Sequence, residues 1–203
     1  MNLCAALLCI FAVTFSGCAA VGVAATSDPI RKLQDAEVLF MSKNRPLPAE
    51  ALIREAIPIF QQRKDWQWLG HAYREYGDLL KSASVARLEP IYRRYGFRDR
   101  SITFDNRLEK AADFYRLALG SYKNAESANL QASQYDALTN LYLNMGLSSH
   151  ELGENLAACE YYSKMVESAD KNRQLHPSVA PAKEIVRRMA MTVRAASGCG
   201  ETT

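Results

Sequence analysis

The sequence predicts an all-α protein. Beyond the segment "VGVAATSDP", apolar residues recur at spacings of three and four, and alanine, leucine, glutamate, arginine and tyrosine dominate. Neither an alternating strand pattern nor a hairpin dipeptide interrupts this periodicity. The chain has 203 residues and a net charge of +3. This length gives one domain with its own core, and the small net charge does not indicate a nucleic-acid partner.

Helix follows helix along the chain. Two proline-containing segments, "RPLP" and "HPSVAP", mark breaks, because proline lacks an amide donor and disfavours helix in the residue before it. A glycine inside a helix costs about 1 kcal/mol relative to alanine, so we expect Gly70 to allow close approach of a neighbouring helix. The predicted helices span 30–43, 49–63, 65–77, part of 80–96, 104–123, 127–151, 154–172 and 178–196.

Residues 1–17 have the layout of an export signal, since an apolar run is followed at once by small residues and the first charged side chain is Asp28. The segment "FSGC" resembles the lipobox of bacterial lipoproteins, although Phe15 departs from the usual leucine. This resemblance implies a covalent lipid on Cys18, which becomes the mature N-terminus and is followed by a linker, 18–29. Ala19, which is not aspartate, implies sorting to the outer membrane.

Two other interpretations of the N-terminus remain open. The segment "VAA", at 23–25, is also compatible with ordinary cleavage, which would give a soluble periplasmic or secreted protein. Alternatively, residues 3–25 are just long enough to remain as an uncleaved membrane span.

Of the five cysteines, only Cys159 and Cys199 lie beyond the signal and the lipobox. In an oxidising compartment two such thiols are expected to meet where the fold allows, which would tie the tail 199–203 to an interior helix. The alternative is that Cys159 is a small buried apolar residue and Cys199 a free thiol. The separation of their Cα atoms decides between the two.

The segment from Trp66 to Gly77 matches the first half of a tetratricopeptide repeat, with Leu69, Gly70 and Tyr73 at the motif positions. The pattern recurs in "YDALTNLYLNMG", at Tyr135, Leu138, Thr139, Tyr142 and Gly146. Second-helix signatures start at Ala111 and Ala158, with a weaker copy at Ala49. The chain thus resembles this family, which implies stacked antiparallel hairpins in which Gly70 makes room for a large side chain across the gap.

The spacing departs from a regular repeat in two places, between Gly77 and Ala111 and between Gly146 and Ala158. We therefore expect a short, irregular tetratricopeptide-like array of antiparallel helical hairpins over residues 30–198, with an insertion at 79–104. Helix 178–196 would cap its C-terminal end.

The resemblance also implies a binding surface, because members of the family bind peptides or partner helices on a concave face made by the first helices. An ordinary solvated helix face is the alternative. Carried over position by position, the concave face comprises Lys64, Gln67, His71, Arg74, Glu75, Asp136, Asn140, Leu143 and Asn144.

The insertion is rich in arginine and tyrosine, with six Lys/Arg against two Asp/Glu between Leu79 and Phe104. Both residue types are enriched at protein–protein hot spots, and they are also compatible with anionic lipid headgroups. The plainer alternative is a solvated helix whose aromatic residues cover the hairpin core. The candidate partner-binding residues here are Tyr92, Arg93, Arg94, Tyr95, Arg98 and Arg100.

No motif for a metal, a nucleotide or a catalytic nucleophile stands in the sequence, so we expect no metal, no cofactor apart from the lipid, and no enzyme activity. His71 with Glu75, and His150 with Glu151, form possible acid–base pairs, but neither pair has a nucleophile or a third orienting group.

These observations predict an exported, lipid-anchored protein–protein interaction module, a scaffold or assembly lipoprotein on the periplasmic side of the outer membrane. Its partner would be another protein or a peptide, and its membrane contact would be through the lipid. The alternative is an immunity or inhibitor lipoprotein that neutralises a secreted toxic effector.

Overall fold

The computed structural model describes residues 26–125, 132–178 and 183–199. Within these ranges all regular secondary structure is helical and there is no strand, which confirms the all-α class. No helix in the described ranges is both long and apolar enough to span a bilayer. The predicted signal and the proposed lipid attachment at Cys18 lie outside the described residues.

The first three helices are α1 (Pro29–Glu37), α2 (Pro46–Arg63) and α3 (Trp66–Lys81), and a π-helical turn, Val38–Ser42, extends α1. The α1 helix begins behind Asp28, whose carboxylate accepts a hydrogen bond from the backbone amide of Ile30 at 3.0 Å. The α2 helix starts earlier than predicted, because the prolines of "RPLP" occupy its first turn, where a missing amide is tolerated.

The predicted insertion contains two short helices, α4 (Ala83–Arg87) and α5 (Glu89–Tyr95), and a loop. The chain continues through α6 (Arg107–Ala125), α7 (Ala132–Glu151), α8 (Asn155–Leu175) and α9 (Lys183–Ala196). The periodicity predicted one helix within 80–96. In the structure Ser82 is extended, ends α3 and caps α4 with its hydroxyl, which accepts from the backbone amide of Val85. A second break follows at Leu88, and Pro90 lies in the first turn of α5.

Helices α3 and α6 pack closely in an antiparallel pair at two glycines. A Cβ atom at Gly70 would lie 2.7 Å from the ring of Tyr122, and one at Gly77 would lie 2.5 Å from the ring of Tyr115. The predicted close approach at Gly70 is therefore confirmed, and the large side chain opposite it is Tyr122.

Helices α7 and α8 form a second antiparallel pair of the same kind. A Cβ atom at Gly146 would lie 2.3 Å from the ring of Tyr162. Near the other end of the pair, the side-chain amide of Asn172 donates to Asp136 at 2.7 Å. Both pairs join helices predicted to form a repeat, while membership of the tetratricopeptide family stays a prediction.

The main core lies between α1, α2, α3 and α6 and extends to the facing side of α7. A smaller core of Met165, Ala169, Val186 and Ala190 joins α8 to α9. Cys159 on α8 is bonded to Cys199 just after α9, with their Cα atoms 5.6 Å apart. The C-terminal helix is therefore held by a small apolar contact and one covalent bridge.

The insertion folds onto the main core. Tyr92 and Phe97 are buried with their rings stacked at 4.2 Å, and Ile102 and Phe104 are buried beside them. The buried carboxylate of Glu50 on α2 fixes this arrangement, since it accepts from the backbone amide of Arg98 at 2.6 Å and from the hydroxyl of Tyr76 at 3.0 Å. Tyr92, Phe97 and Phe104 therefore belong to the core, as the plainer alternative predicted, whereas Tyr95 is exposed.

Candidate functional site

A polar cleft of about 370 Å³ opens between the end of α1, its π-helical turn, α3 and α7. We call it the Asp78 cleft, after the residue at its centre. Helix α3 supplies most of the charged side chains, α6 contributes one tyrosine, and α7 forms the far wall. Its lining residues are Glu37, Phe40, Met41, Arg74, Glu75, Asp78, Lys81, Ser82, Tyr115, Asn144, Leu147 and Glu151.

Asp78 connects three helices. Its Oδ1 atom accepts from the hydroxyl of Tyr115 on α6 at 2.7 Å and from Nδ2 of Asn144 on α7 at 2.9 Å. Its Oδ2 atom lies 3.3 Å from Nη1 of Arg74, one turn earlier on α3. Burial raises the pKa of Asp78, although the Arg74 guanidinium opposes that rise.

Glu75 is the most deeply buried acid of the cleft, with 5% of its surface exposed. Its Oε1 atom lies 2.6 Å from Nη2 of Arg74. Burial raises the pKa of Glu75 to about 8, and Asp78 and Glu37 act in the same direction against Arg74. Its Oε2 atom and Nε of Arg74 are buried and have no hydrogen-bond partner among the described residues.

The outer part of the cleft carries more negative than positive charge. Lys81 forms an ion pair with Glu151 at 3.1 Å and donates a hydrogen bond to the hydroxyl of Ser148 at 3.0 Å. Glu37, on the opposite wall, makes no ion pair with any residue that the structure describes. At the rim, Met41 is 67% exposed.

Three of the nine predicted concave-face residues meet in this cleft, namely Arg74, Glu75 and Asn144. His71 lies instead between the rings of Trp68 and Tyr122, at centroid distances of 5.0 and 5.5 Å. Burial lowers the pKa of His71 to about 4, so this side chain is a neutral packing group at neutral pH.

The remaining concave-face residues lie outside the cleft. Asp136 faces α8, where it accepts from Asn172. Leu143 is half-buried and packs against the small core of α8 and α9, and its place on a binding groove stays a prediction. The structure places Lys64 at the exposed corner between α2 and α3, Gln67 one turn before His71, and Asn140 on the solvent side of α7.

A second cavity, of about 450 Å³, lies in the insertion and is lined by five of the six predicted residues there, all except Arg98. Tyr92 is 1% exposed, so the prediction that it contacts a partner is wrong: its ring belongs to the core. Arg93 is bound by Glu89 at 2.6 Å and by Asp105 at 2.7 Å. Arg100 donates to the carbonyl of Tyr95 at 3.1 Å.

Two of the six cations of the insertion, Lys81 and Arg93, are therefore paired with carboxylates, and Arg100 is held by a carbonyl. Arg94 stacks on the ring of Tyr95 at 5.1 Å, and both side chains are exposed. Arg98 is exposed at the side of this cavity. Arg94 and Arg98 are thus exposed arginines of the insertion for which no ion pair with a described residue is seen.

Sequence reasoning missed Glu37, Asp78, Lys81, Tyr115 and Glu151 as site residues. Asp78 and Lys81 carry a weak signal, because they follow Arg74 at helical spacings of four and seven on the same face of α3. Glu37 carries none, since nothing in the sequence specifies how α1 approaches α3.

No protein-family model matches the chain, no curated protein is significantly similar to it, and no solved structure matches its fold significantly. In the described part of the chain, no group of three or more His, Cys, Asp and Glu residues is arranged to hold a metal ion. The function is therefore inferred from the residues and their geometry.

Proposed function

We propose that the protein is an exported, lipid-anchored module that binds another protein, acting as a scaffold or assembly lipoprotein on the periplasmic side of the outer membrane. The observation that carries the binding function is the Asp78 cleft, where α1, α3, α6 and α7 bring charged side chains to a concave surface. The "FSGC" segment ending at Cys18 supports the lipid anchor.

Unsatisfied polar atoms and closely packed walls support a binding role for the cleft. A buried polar atom without a hydrogen-bond partner costs about 1–3 kcal/mol, and the cleft holds two such atoms, on Arg74 and Glu75. Both atoms lie below the surface, so a partner satisfies them only if the side chains of Arg74 and Glu75 turn toward the cleft when it binds. Close packing at Gly77 and Gly146 places α3 and α7, two of the cleft walls, against α6 and α8, and walls that are ordered before binding reduce the entropy lost on binding.

The binding function is tested by affinity purification from detergent-solubilised membranes of the producing cell. The cleft variant combines Glu37→Gln with Glu151→Gln, and the insertion variant combines Arg94→Ala with Arg98→Ala. We expect the wild type and the insertion variant to recover the same protein. The cleft variant should recover roughly fivefold less, since each charge at an exposed site contributes up to about 1 kcal/mol.

Failure to recover any protein reproducibly with the wild type would refute the binding function. Loss of capture with the insertion variant alone would move the binding surface to Arg94 and Arg98. Recovery of a secreted hydrolase, in place of envelope machinery, would assign the protein to the immunity lipoproteins.

The lipid anchor is tested separately by Cys18→Ser. The variant should leave the membrane fraction and lose acyl labelling, because the lipid attaches through the cysteine sulfur. Retention of membrane fractionation and of electrophoretic mobility would mean that another segment holds the protein at the membrane.

A further inference from the structure

We propose that the Asp78 cleft receives a basic side chain, lysine or arginine, from the partner protein. This inference rests on the proposed protein-binding function and specifies the chemistry of the partner at that site.

The charge balance of the cleft is the first argument. Four of its described lining residues are carboxylates, Glu37, Glu75, Asp78 and Glu151, and only Arg74 and Lys81 are cations. Both cations are already engaged, Arg74 by two carboxylates and Lys81 by one. Glu37 makes no ion pair with a described residue, so the cleft keeps an excess of negative charge that attracts an added positive charge and repels an anionic occupant.

The second argument is independent of the charge count. Glu75 is more than nine-tenths buried, lines the cleft, and has an Oε2 atom with no hydrogen-bond partner in the part of the chain that is described. When Glu75 is ionised, as it is above its pKa of about 8, that atom lacks a donor, and a cation in the cleft favours this ionised form. An ammonium group offers three donors and a guanidinium five, and neither offers an acceptor, so both match a site made mainly of carboxylate oxygens.

Three apolar residues that line the cleft fit the rest of such a side chain. Phe40, Met41 and Leu147 line the same space as the carboxylates. Lysine and arginine carry long apolar stems that pack along such surfaces while their charged ends reach polar groups.

Occupation of the cleft should release a proton. The groups that face Glu75 are Arg74 and Asp78 on its own helix, Glu37 from α1 and Tyr122 from α6. A cation arriving among them lowers the pKa of Glu75 from about 8, so the occupied site binds fewer protons. Affinity should therefore rise as the pH increases from 7 to about 8 and level off above it, by up to about tenfold in total between pH 7 and 9.

The test uses isotope-labelled full-length protein in a mild nonionic detergent and follows the nuclear magnetic resonance signals of the Met41 methyl and the Asn144 side-chain amide. The probes are three blocked tripeptides with leucine at both ends and lysine, norleucine or glutamate in the middle. We expect the lysine peptide to shift both signals, and the other two to bind at least about tenfold more weakly.

Three variants complete the design. Glu37→Gln should weaken binding of the lysine peptide about twofold to fivefold, as expected for one exposed charge. Glu75→Gln should abolish the rise in affinity between pH 7 and 9. Glu167→Gln, an exposed acid on α8 outside the cleft, is the matched control and should change neither quantity.

Equal binding of the lysine and norleucine peptides would overturn the inference, as would equal effects of Glu37→Gln and Glu167→Gln. In that case a partner captured in the affinity experiment would still uphold the binding function, with its site elsewhere. Conversely, the lysine peptide could bind while the affinity purification recovers no protein. That result would refute the proposed protein-binding function and the claim that the basic side chain comes from a partner protein.

Discussion

Gly77 illustrates at a single residue how the cleft is built. The ring of Tyr115 occupies the space that a side chain at Gly77 would need, and the hydroxyl of Tyr115 is bonded to Asp78. The ring cannot move away from α3 without losing this bond. Because Gly77 has no Cβ atom, the ring of Tyr115 lies close to α3, where it lines the Asp78 cleft.

Gly77→Ala should destabilise the protein by about 1–3 kcal/mol through overpacking against Tyr115, in spite of the better helix propensity of alanine. Gly120→Ala is the matched control, because no atom lies within 4 Å of the added Cβ there. The control should be stabilised by about 0.5–1 kcal/mol. Denaturant unfolding measures both, and similar stabilisation of the two variants would show that α3 and α6 are farther apart than described.

Glu75 gives the stability of the protein a defined pH dependence. Its pKa is about 8 in the folded protein, compared with an ordinary value of 4.5, so between these values the folded state binds more protons than the unfolded state. The stabilising contribution is full below pH 4.5 and is lost as the pH rises to 8. His71, whose pKa is lowered to about 4, acts in the opposite direction below pH 6.5.

Between pH 6.5 and 8, the unfolding free energy of the wild type should therefore fall, and that of Glu75→Gln should fall less. Chemical denaturation at several pH values measures this difference, with Glu167→Gln as the control for loss of a surface charge. Parallel curves for wild type and Glu75→Gln would mean that Glu75 is ionised in the folded protein.

At the scale of helices and loops, the insertion shows that counting charges in a sequence does not tell which cations are already paired within the protein. The excess of arginine between Leu79 and Phe104 indicated a partner surface, but Arg93 is bound by Glu89 one turn away and by Asp105 just beyond the counted segment. Only the folded loop reveals the second contact. The position of the insertion could be predicted from repeat spacing, whereas the partners of its side chains could not.

Glu50 is the main attachment of the insertion to α2, together with an ion pair between Arg54 and Asp99 at 3.1 Å. Glu50→Ala leaves the Arg98 amide and the Tyr76 hydroxyl without their acceptor, at a cost of about 1–3 kcal/mol for each buried group. Hydrogen exchange should accelerate in the insertion more than in α7 and α8. The control is Glu55→Ala on the same helix, where the carboxylate is exposed; equal effects would show that Glu50 does not hold the insertion.

The disulfide should matter most for α9, whose apolar contact with α8 is small. The bridge closes a loop with a sequence separation of 40. In the chain-entropy model, a loop of this length contributes about 4 kcal/mol. Reductant should therefore lower the melting temperature and expose the amides of α9 to exchange, and peptide mapping without reductant should recover Cys159 joined to Cys199. Free thiols at both positions in protein isolated from the cell would contradict this.

At the scale of the whole molecule, the sequence was sufficient for the all-α class, most helix positions and the close approach at Gly70. These features depend on local periodicity and on glycine, both of which are visible in the chain. The Asp78 cleft depends on how α1 approaches α3 and α7, and this is decided by packing between distant segments. For that reason Arg74, Glu75 and Asn144 could be predicted as site residues, while Glu37 could not.

The central claim is that another protein occupies the Asp78 cleft, and site-specific photo-crosslinking in the producing cell tests it most directly. A photoreactive amino acid replaces Met41 at the cleft rim, Tyr95 on the insertion or Leu156 on α8, all of which are exposed. The account predicts a covalent adduct with another protein from position 41, and none from position 156. Adducts from position 95 or 156 with none from position 41 would contradict it.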